Sequence, residues 1–379
     1  MKALVLVTDA FGGRGGIALY NRHLLRALCE YPGMERVIAI PRVISYAIES
    51  MPPNLDYRVA AAGGKVSYLL ACVTVGLSRP KVDLVICGHI HLLPIAYVLG
   101  FVLRCRVIPV VYGIEAWTPT RHPLANVLCR RLDSFISIRK LTARVFRTWA
   151  GIPDARCYYL PNCIDDARYG VGPRRPELIN RYRLAGKIVI MSAGRLDSDP
   201  FEKNKGFDEV LEALPVLRRR LPALAYLVVG DGEDKERLVR KSEDLGVRDL
   251  VIFTGYVPDG EKADHYRLAD VFAMPGSNPM FDRYPFRFVF LEALACGVPV
   301  VGCRLEDAEE RMDPDAGLIV QVDPKDKAEV IEAIVAALSR PKGGIDPRLH
   351  RFYFCGFSAR LHEVVSTVLS EQTARADCP

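Results

Sequence analysis

The chain has no two cysteines at CxxC spacing, although it holds 11 cysteines among 379 residues. Scattered from Cys29 to Cys378, they fit neither a zinc ribbon nor a redox motif, and they read as buried thiols of a reducing compartment. Long apolar runs are also missing. The two longest, Val66–Leu77 and Leu92–Leu103, reach 12 residues each, against the roughly 20 that a bilayer-spanning helix requires. No transmembrane helix is expected. The opening MKALVLVTDAFGG lacks the apolar length and the small-residue cleavage site of a signal peptide, and reads as a first β-strand. Helix-turn-helix, zinc and RNP-like patterns are absent, which argues against nucleic acid as a partner. No repeat of roughly 20–50 residues recurs, which excludes a solenoid.

What is present is enough apolar residue for two ordinary cores, at 50% hydrophobic and 25% charged. The net charge of +6 is unevenly spread: residues 1–170 carry 21 lysines and arginines against 11 acids, whereas the remainder carries 30 against 34. A basic front half favours an anionic membrane surface, nucleic acid or a phosphorylated acceptor without choosing among them, with a merely solvated face as the alternative.

Short β-branched runs alternate with amphipathic stretches, as in KALVLVTD followed by IALYNRHLLRALCEY, and VDLVICG followed by LLPIAYVLGFVLR. That rhythm predicts a parallel α/β sheet. A Pro/Gly-rich segment at 161–186 interrupts it and reads as an interdomain linker. The rhythm then restarts at KIVIMSAG and runs to KAEVIEAIVAALSR. Two Rossmann-like domains in tandem are expected, with ligand at the carboxyl ends of the strands.

Several groups at predicted strand ends could carry chemistry. Gly12-Gly13-Arg14-Gly15-Gly16 follows the first strand and fits neither GxxxxGK[ST] nor GxGxxG, so it reads as an anion-binding loop at a helix start or as a tight turn. Gly194-Arg195 ends strand KIVIMSAG, and Lys205-Gly206 opens the next helix. Two such cations can grip a diphosphate from two sides and neutralise charge as it leaves. Glu292 is expected in the first turn of a helix between two buried strands, where a carboxylate can accept hydrogen bonds from ribose hydroxyls. His89 follows VDLVICG and is placed to donate to a sugar oxygen, with a packed loop histidine as the alternative. Glu115 and Trp117 follow strand RVIPVVY and are expected to border the same cleft.

Taken in order, GGRGGIALYNRHL, VYGIEAW, SAGRL with NKGFDEVLEAL, YLVVGDGED, FTGYV, YRLADVFAMPG and FVFLEALACGVPVV resemble the family-four (group 1) retaining glycosyltransferases over nearly the whole chain. The resemblance implies a GT-B fold, with two Rossmann-like domains facing each other across a cleft. It implies that Arg195 and Lys205 bind the diphosphate of a nucleotide-sugar donor, that Glu292 binds the ribose, that Gly15 and Gly16 close over the phosphates beside Gly194, and that Tyr256 and Val257 meet the base. It implies no cofactor and no metal for the chemistry, and the sequence has no DxD motif to contradict this. One departure stands out. The family glutamate eight positions before Glu292 is Tyr284 here, and Arg287 replaces a glycine. Asp282 is then the nearest acid that could contact the donor sugar.

The expected division is 1–165 for acceptor, 166–345 for donor, and a helical segment over 346–379 that could pack back on the first domain. The expected activity is retaining hexosyl transfer from a nucleoside-diphosphate sugar to a glycan or lipid-linked acceptor, in the cytoplasm or at the inner face of the membrane. A nucleotide-sugar epimerase and a non-catalytic nucleotide-sugar-binding subunit are the alternatives.

Overall fold

A computed structural model describes residues 1–78, 81–198, 205–221, 223–276, 288–304, 317–340 and 342–376. The chain divides into two compact units, Met1–Cys163 with Phe354–Pro379, and Ile164–Tyr353.

Unit one is built on a parallel sheet of β1 (Lys2–Val7), β2 (Arg36–Pro41), β3 (Leu55–Tyr57), β4 (Leu84–Cys87), β5 (Arg106–Val111), β6 (Ser134–Ser137) and β7 (Arg156–Tyr159), in the order β3-β2-β1-β4-β5-β6-β7. Its helices are α1 (Gly16–Cys29), α2 (Lys65–Ser78), α3 (Leu93–Leu103), α4 (Pro123–Cys129) and α5 (Lys140–Ala150). Val5, Leu6, Val85 and Ile86 are buried, as inner strands covered on both faces require. The strand order reverses between β1 and β4, the switch point where an α/β sheet opens a crevice at its carboxyl edge.

Unit two repeats the plan with β8 (Ile188–Ala193), β9 (Leu224–Val229), β10 (Val251–Gly255), β11 (Val271–Met274), β12 (Val300–Cys303) and β13 (Val320–Val322), in the order β10-β9-β8-β11-β12-β13 and parallel throughout. Its switch point lies between β8 and β11. The helices are α6 (Pro176–Tyr182), α7 (Phe207–Arg220), α8 (Lys235–Asp244), α9 (Lys262–Leu268), α10 (Phe288–Ala295) and α11 (Lys327–Leu338). Charge placement supports two of them. Asp208 and Glu209 occupy the first turn of α7 and Arg218–Arg220 the last, matching the helix dipole. Asp326 caps α11 by accepting from the Ala328 and Glu329 amides.

The last helix, α12 (Phe354–Ala376), groups with unit one, where it packs along α1. Phe357 meets the edge of Tyr20, the Tyr31 hydroxyl bonds Ser366, and Glu371 pairs with both Arg106 and Arg156.

The 161–186 segment is not the free linker that its composition predicts. From Ile164 on it belongs to unit two, forms α6, and sends Tyr169 into the core. Apolar positions at Ile164, Tyr169 and Leu184 find a hydrophobic surface there, and this burial outweighs the Pro/Gly signal.

One close approach shapes the carboxyl edge of unit two. The amides of Gly194 and Leu196 donate to the carbonyls of Val229 and Asp231, so the chain beyond β8 runs against the chain beyond β9. Gly230 and Gly232 make this possible with φ of 140° and 155°. A Cβ on Gly230 would stand 1.9 Å from the Gly194 carbonyl oxygen, and one on Gly232 would stand 2.1 Å from that of Leu196. Gly230→Ala is therefore expected to destabilise the protein by roughly 2–4 kcal/mol. Chemical denaturation checks this, and a wild-type midpoint would refute the constraint.

Candidate nucleotide-sugar site

In unit two, β8 delivers Gly194 and Arg195 at the switch point, and Lys205 precedes Gly206, the cap of α7. Gly206 has φ 109°, and a Cβ there would lie 2.6–2.7 Å from backbone atoms of Met274, Pro275 and Gly276. The start of α7 is thus pressed against the carboxyl end of β11. The structure joins the two expected cations through a residue that sequence reasoning missed. Asp197 accepts from Arg195 Nε at 2.7 Å and from Lys205 Nζ at 2.6 Å, and Lys205 also donates to the Arg195 carbonyl at 3.1 Å. The Asp197 side chain is 8% exposed and that of Arg195 75% exposed. One buried carboxylate therefore holds two cations at one strand end, with Arg195 reaching into solvent. The two cations and the one carboxylate of this trio sum to one positive charge.

Glu292 lies one turn into α10 as described, rather than in its first turn. It is buried, and its two oxygens accept from the hydroxyls of Tyr169 at 3.0 Å and Tyr266 at 2.6 Å. Burial and the nearby carboxylate push both phenols far above their ordinary range, so they remain donors. Lys262 is paired with Asp259 at 2.6 Å. Burial works against its charge, but Glu292 and Asp259 outweigh burial and raise its pKa, with Tyr256 adding to the same field. Tyr256 is half exposed just beyond β10, and Val257 is buried. Glu292, Lys262, Asp259 and Tyr256 thus form a second cluster, where a buried carboxylate and a partly exposed ion pair meet an exposed ring. Tyr169 lies in the apparent linker, and Tyr266 opens the YRLADVFAMPG segment of the resemblance, but neither position marks a partner of Glu292 in the sequence.

In unit one, Gly15 caps α1 with φ 97°, and Gly15 and Gly16 are exposed. The first turn of α1 has neither an acidic residue nor a side-chain cap, which leaves the positive end of the dipole open to an anion. The loop behind it is tied by hydrogen bonds to the rest of the unit. The Gly12 amide donates to Glu49, Arg22 bonds both the Gly13 carbonyl and Glu49, and Asn21 bridges the Asp9 carbonyl to the Tyr112 hydroxyl. Burial raises the Asp9 pKa, against the Thr8 hydrogen bond and the Arg22 charge.

His89 stands across the same switch point, beyond β4. Its Nδ1 accepts from the His91 amide at 3.1 Å, so the neutral ring carries its proton on Nε2 as a donor. Burial, with a smaller contribution from His91, lowers its pKa to about 4. Glu115 and Trp117 follow β5. Glu115 is half-buried, desolvation raises its pKa, and it accepts from the amides of Tyr112 and Gly113. Trp117 donates to Thr142 at 3.1 Å. An acid four residues past the end of β5 can thus satisfy the amides of the turn that precedes it. Asp282, Tyr284 and Arg287 lie outside the described residues.

Two parallel α/β units, each with polar groups at its switch point, define a two-domain α/β protein of the GT-B kind. Residues 187–340 match the family model described as Glycosyl transferases group 1. This stretch is similar to group 1 glycosyl transferases. The chain is 34% identical over 245 residues to a GDP-mannose-dependent alpha-(1-6)-phosphatidylinositol monomannoside mannosyltransferase of Mycolicibacterium smegmatis, a match covering 62% of each chain. A phosphatidyl-myo-inositol mannosyltransferase of the same organism is 34% identical over 218 residues, covering 57% of this chain and 50% of that one. Among solved structures, Anabaena Alr3699/HepE in complex with UDP superposes with a TM-score of 0.72 at 19% identity, covering 97% of this chain and 100% of that one. That last likeness shows the fold.

Two tests follow from the geometry. Asp197→Asn should lower turnover about tenfold, because the cations lose their common anchor, while nucleoside-diphosphate affinity falls less. Unchanged turnover would remove Asp197 from the site. For His89, the folded pKa lies below the ordinary 6.5. As pH falls from 6.5 toward about 4 the unfolded chain takes up a proton that the folded chain refuses, so stability is lost over that window. His89→Asn should flatten the decline in denaturation midpoint between these limits, and an identical slope would refute the assignment.

Proposed function

We propose that this protein transfers a hexose from a nucleoside-diphosphate sugar to a glycan or lipid-linked acceptor, with retention of configuration. The carrying observation is the pair Arg195 and Lys205, held on one buried carboxylate at the switch point of unit two. In this reading the bond from the anomeric carbon to the diphosphate breaks while the acceptor oxygen bonds that carbon from the same face. The acceptor proton passes to a phosphate oxygen of the leaving group. Arg195, Lys205 and the amino end of α7 neutralise the charge that grows there, which is the work a metal ion does in other transferases. Glu292 receives the ribose hydroxyls, and Tyr256 with the backbone of Val257 borders the base. Gly15 and Gly16 close on the phosphates, and neutral His89 donates Nε2–H to a sugar oxygen. Asp282 is the proposed contact to the remaining sugar hydroxyls.

The chain spans about 62% of the length of the curated relative named for GDP-mannose and a phosphatidylinositol monomannoside. That name makes GDP-mannose the first donor to test and a phosphoinositide-linked glycolipid the first acceptor. Attachment through the basic unit to the cytoplasmic face of an anionic membrane fits such an acceptor. Among the described residues no helix is long and apolar enough to cross a membrane.

Arg195→Ala and Lys205→Ala should each lose on the order of 10²-fold in turnover. Glu292→Gln should instead raise the donor concentration needed for half-maximal rate. Steady-state kinetics with radiolabelled donor reads both, and wild-type rates in the two cation variants would defeat the diphosphate assignment. Product analysis without acceptor separates transfer from epimerisation.

A further inference from the structure

Three neighbouring helices of unit one are apolar on the side that faces away from the core. α2 buries Tyr68, Cys72 and Val75 but also exposes Val66, Leu69, Leu70, Val73 and Leu77, the last at 79%. α3 packs against it, with Leu99 lying by Gly76, and exposes Val98 and Phe101, the latter at 86%. α4 packs on α3 and adds Leu124 and Val127. A helix that is apolar all round is normally covered on every side, and a continuous exposed apolar surface marks an interaction site.

Charge identifies what covers it. None of the three helices contains Asp or Glu. Exposed Lys65 and Arg121 lie where α2 and α4 begin, while exposed Lys81, Arg104, Arg130 and Arg131 lie just beyond the ends of the three helices. The face therefore has an apolar middle between two basic margins, with Asp133 as the exposed acid on the second margin. A second copy would set basic margin against basic margin with almost no acid to match. A bilayer supplies both halves of the complement, because acyl chains accept the leucines and Phe101 while lipid phosphates meet the lysines and arginines. The helices are too short to span, so they would lie in the interface plane. A cavity of about 830 Å³ at the second margin, between Tyr97, Phe101, Arg104 and Arg131, leaves room for a head group.

We infer that α2, α3 and α4 form a docking face that inserts into an anionic lipid bilayer. The inference deepens the lipid-linked acceptor reading and rests on it. His89 lies between β4 and α3, at the end of the face marked by Lys65 and Arg121. An acceptor head group lifted from that membrane would arrive at the carboxyl edge of the sheet.

The full chain is mixed with phosphatidylcholine vesicles, with and without phosphatidylglycerol. Wild type should bind the anionic vesicles, retain part of that binding at high salt, and give Phe101→Trp a blue-shifted emission quenched by brominated lipid. Leu77→Glu and Phe101→Glu should each weaken partitioning about tenfold or more, while a GDP-induced thermal shift equal to wild type shows that they are folded. Leu70→Ser with Phe101→Ser replaces them if either fails to fold. If these variants bind vesicles as wild type does, the face is not the attachment surface, although attachment through the basic unit stands. Absence of wild-type binding, or a dimer that Phe101→Glu breaks, overturns the membrane assignment. Transfer to a detergent-solubilised acceptor then reports on the activity separately.

Discussion

Parallel pairing brings the carboxyl ends of all strands to one edge of each sheet, and most of the polar groups of interest stand there because of it. In unit one that edge holds the glycine loop after β1 and His89 after β4. In unit two it holds Arg195 after β8, the close turn at Gly230 and Gly232 after β9, and Tyr256 after β10. Reversal of strand order at β1/β4 and β8/β11 separates neighbouring loops so that an anion can enter between them. The chemistry follows from where strands end more than from which residues are rare.

Within unit two the edge is stiffened by pairs that serve position. Asp197 fixes two cations, and the two tyrosines fix a carboxylate. A charge held this way needs little rearrangement when a ligand arrives, which is how preorganised sites stabilise developing charge. Burial alone would disfavour Asp197 as an anion, but two cations within 2.7 Å offset it. The backbone follows the same logic. Glycines at 206, 230 and 232 let chain segments touch where any side chain would collide.

Unit one carries a second theme in its charge and apolar distribution. The basic excess is legible in residue counts, and the apolar runs at 66–77 and 92–103 are legible as runs. Their length excludes spanning but says nothing of which side chains face outward. Helical periodicity turns each run into two faces, and packing decides that one of them stays uncovered.

The sequence by itself determined the alternation of strands and helices, the family resemblance, and the nearness of Arg195 and Lys205 to the start of a helix, because these depend on local periodicity and local spacing. It placed Gly15, Gly16 and His89 at strand ends for the same reason. Only tertiary structure decided that Asp197 joins the two cations, that Tyr169 leaves an apparent linker to meet Glu292, and that Glu115 spends its oxygens on its own turn. It also decided that 354–376 groups with residues 1–163. Those outcomes rest on contacts between residues far apart in the chain or on the local competition for buried amides. Both are settled by which surfaces fit and which polar groups must be satisfied once water is excluded.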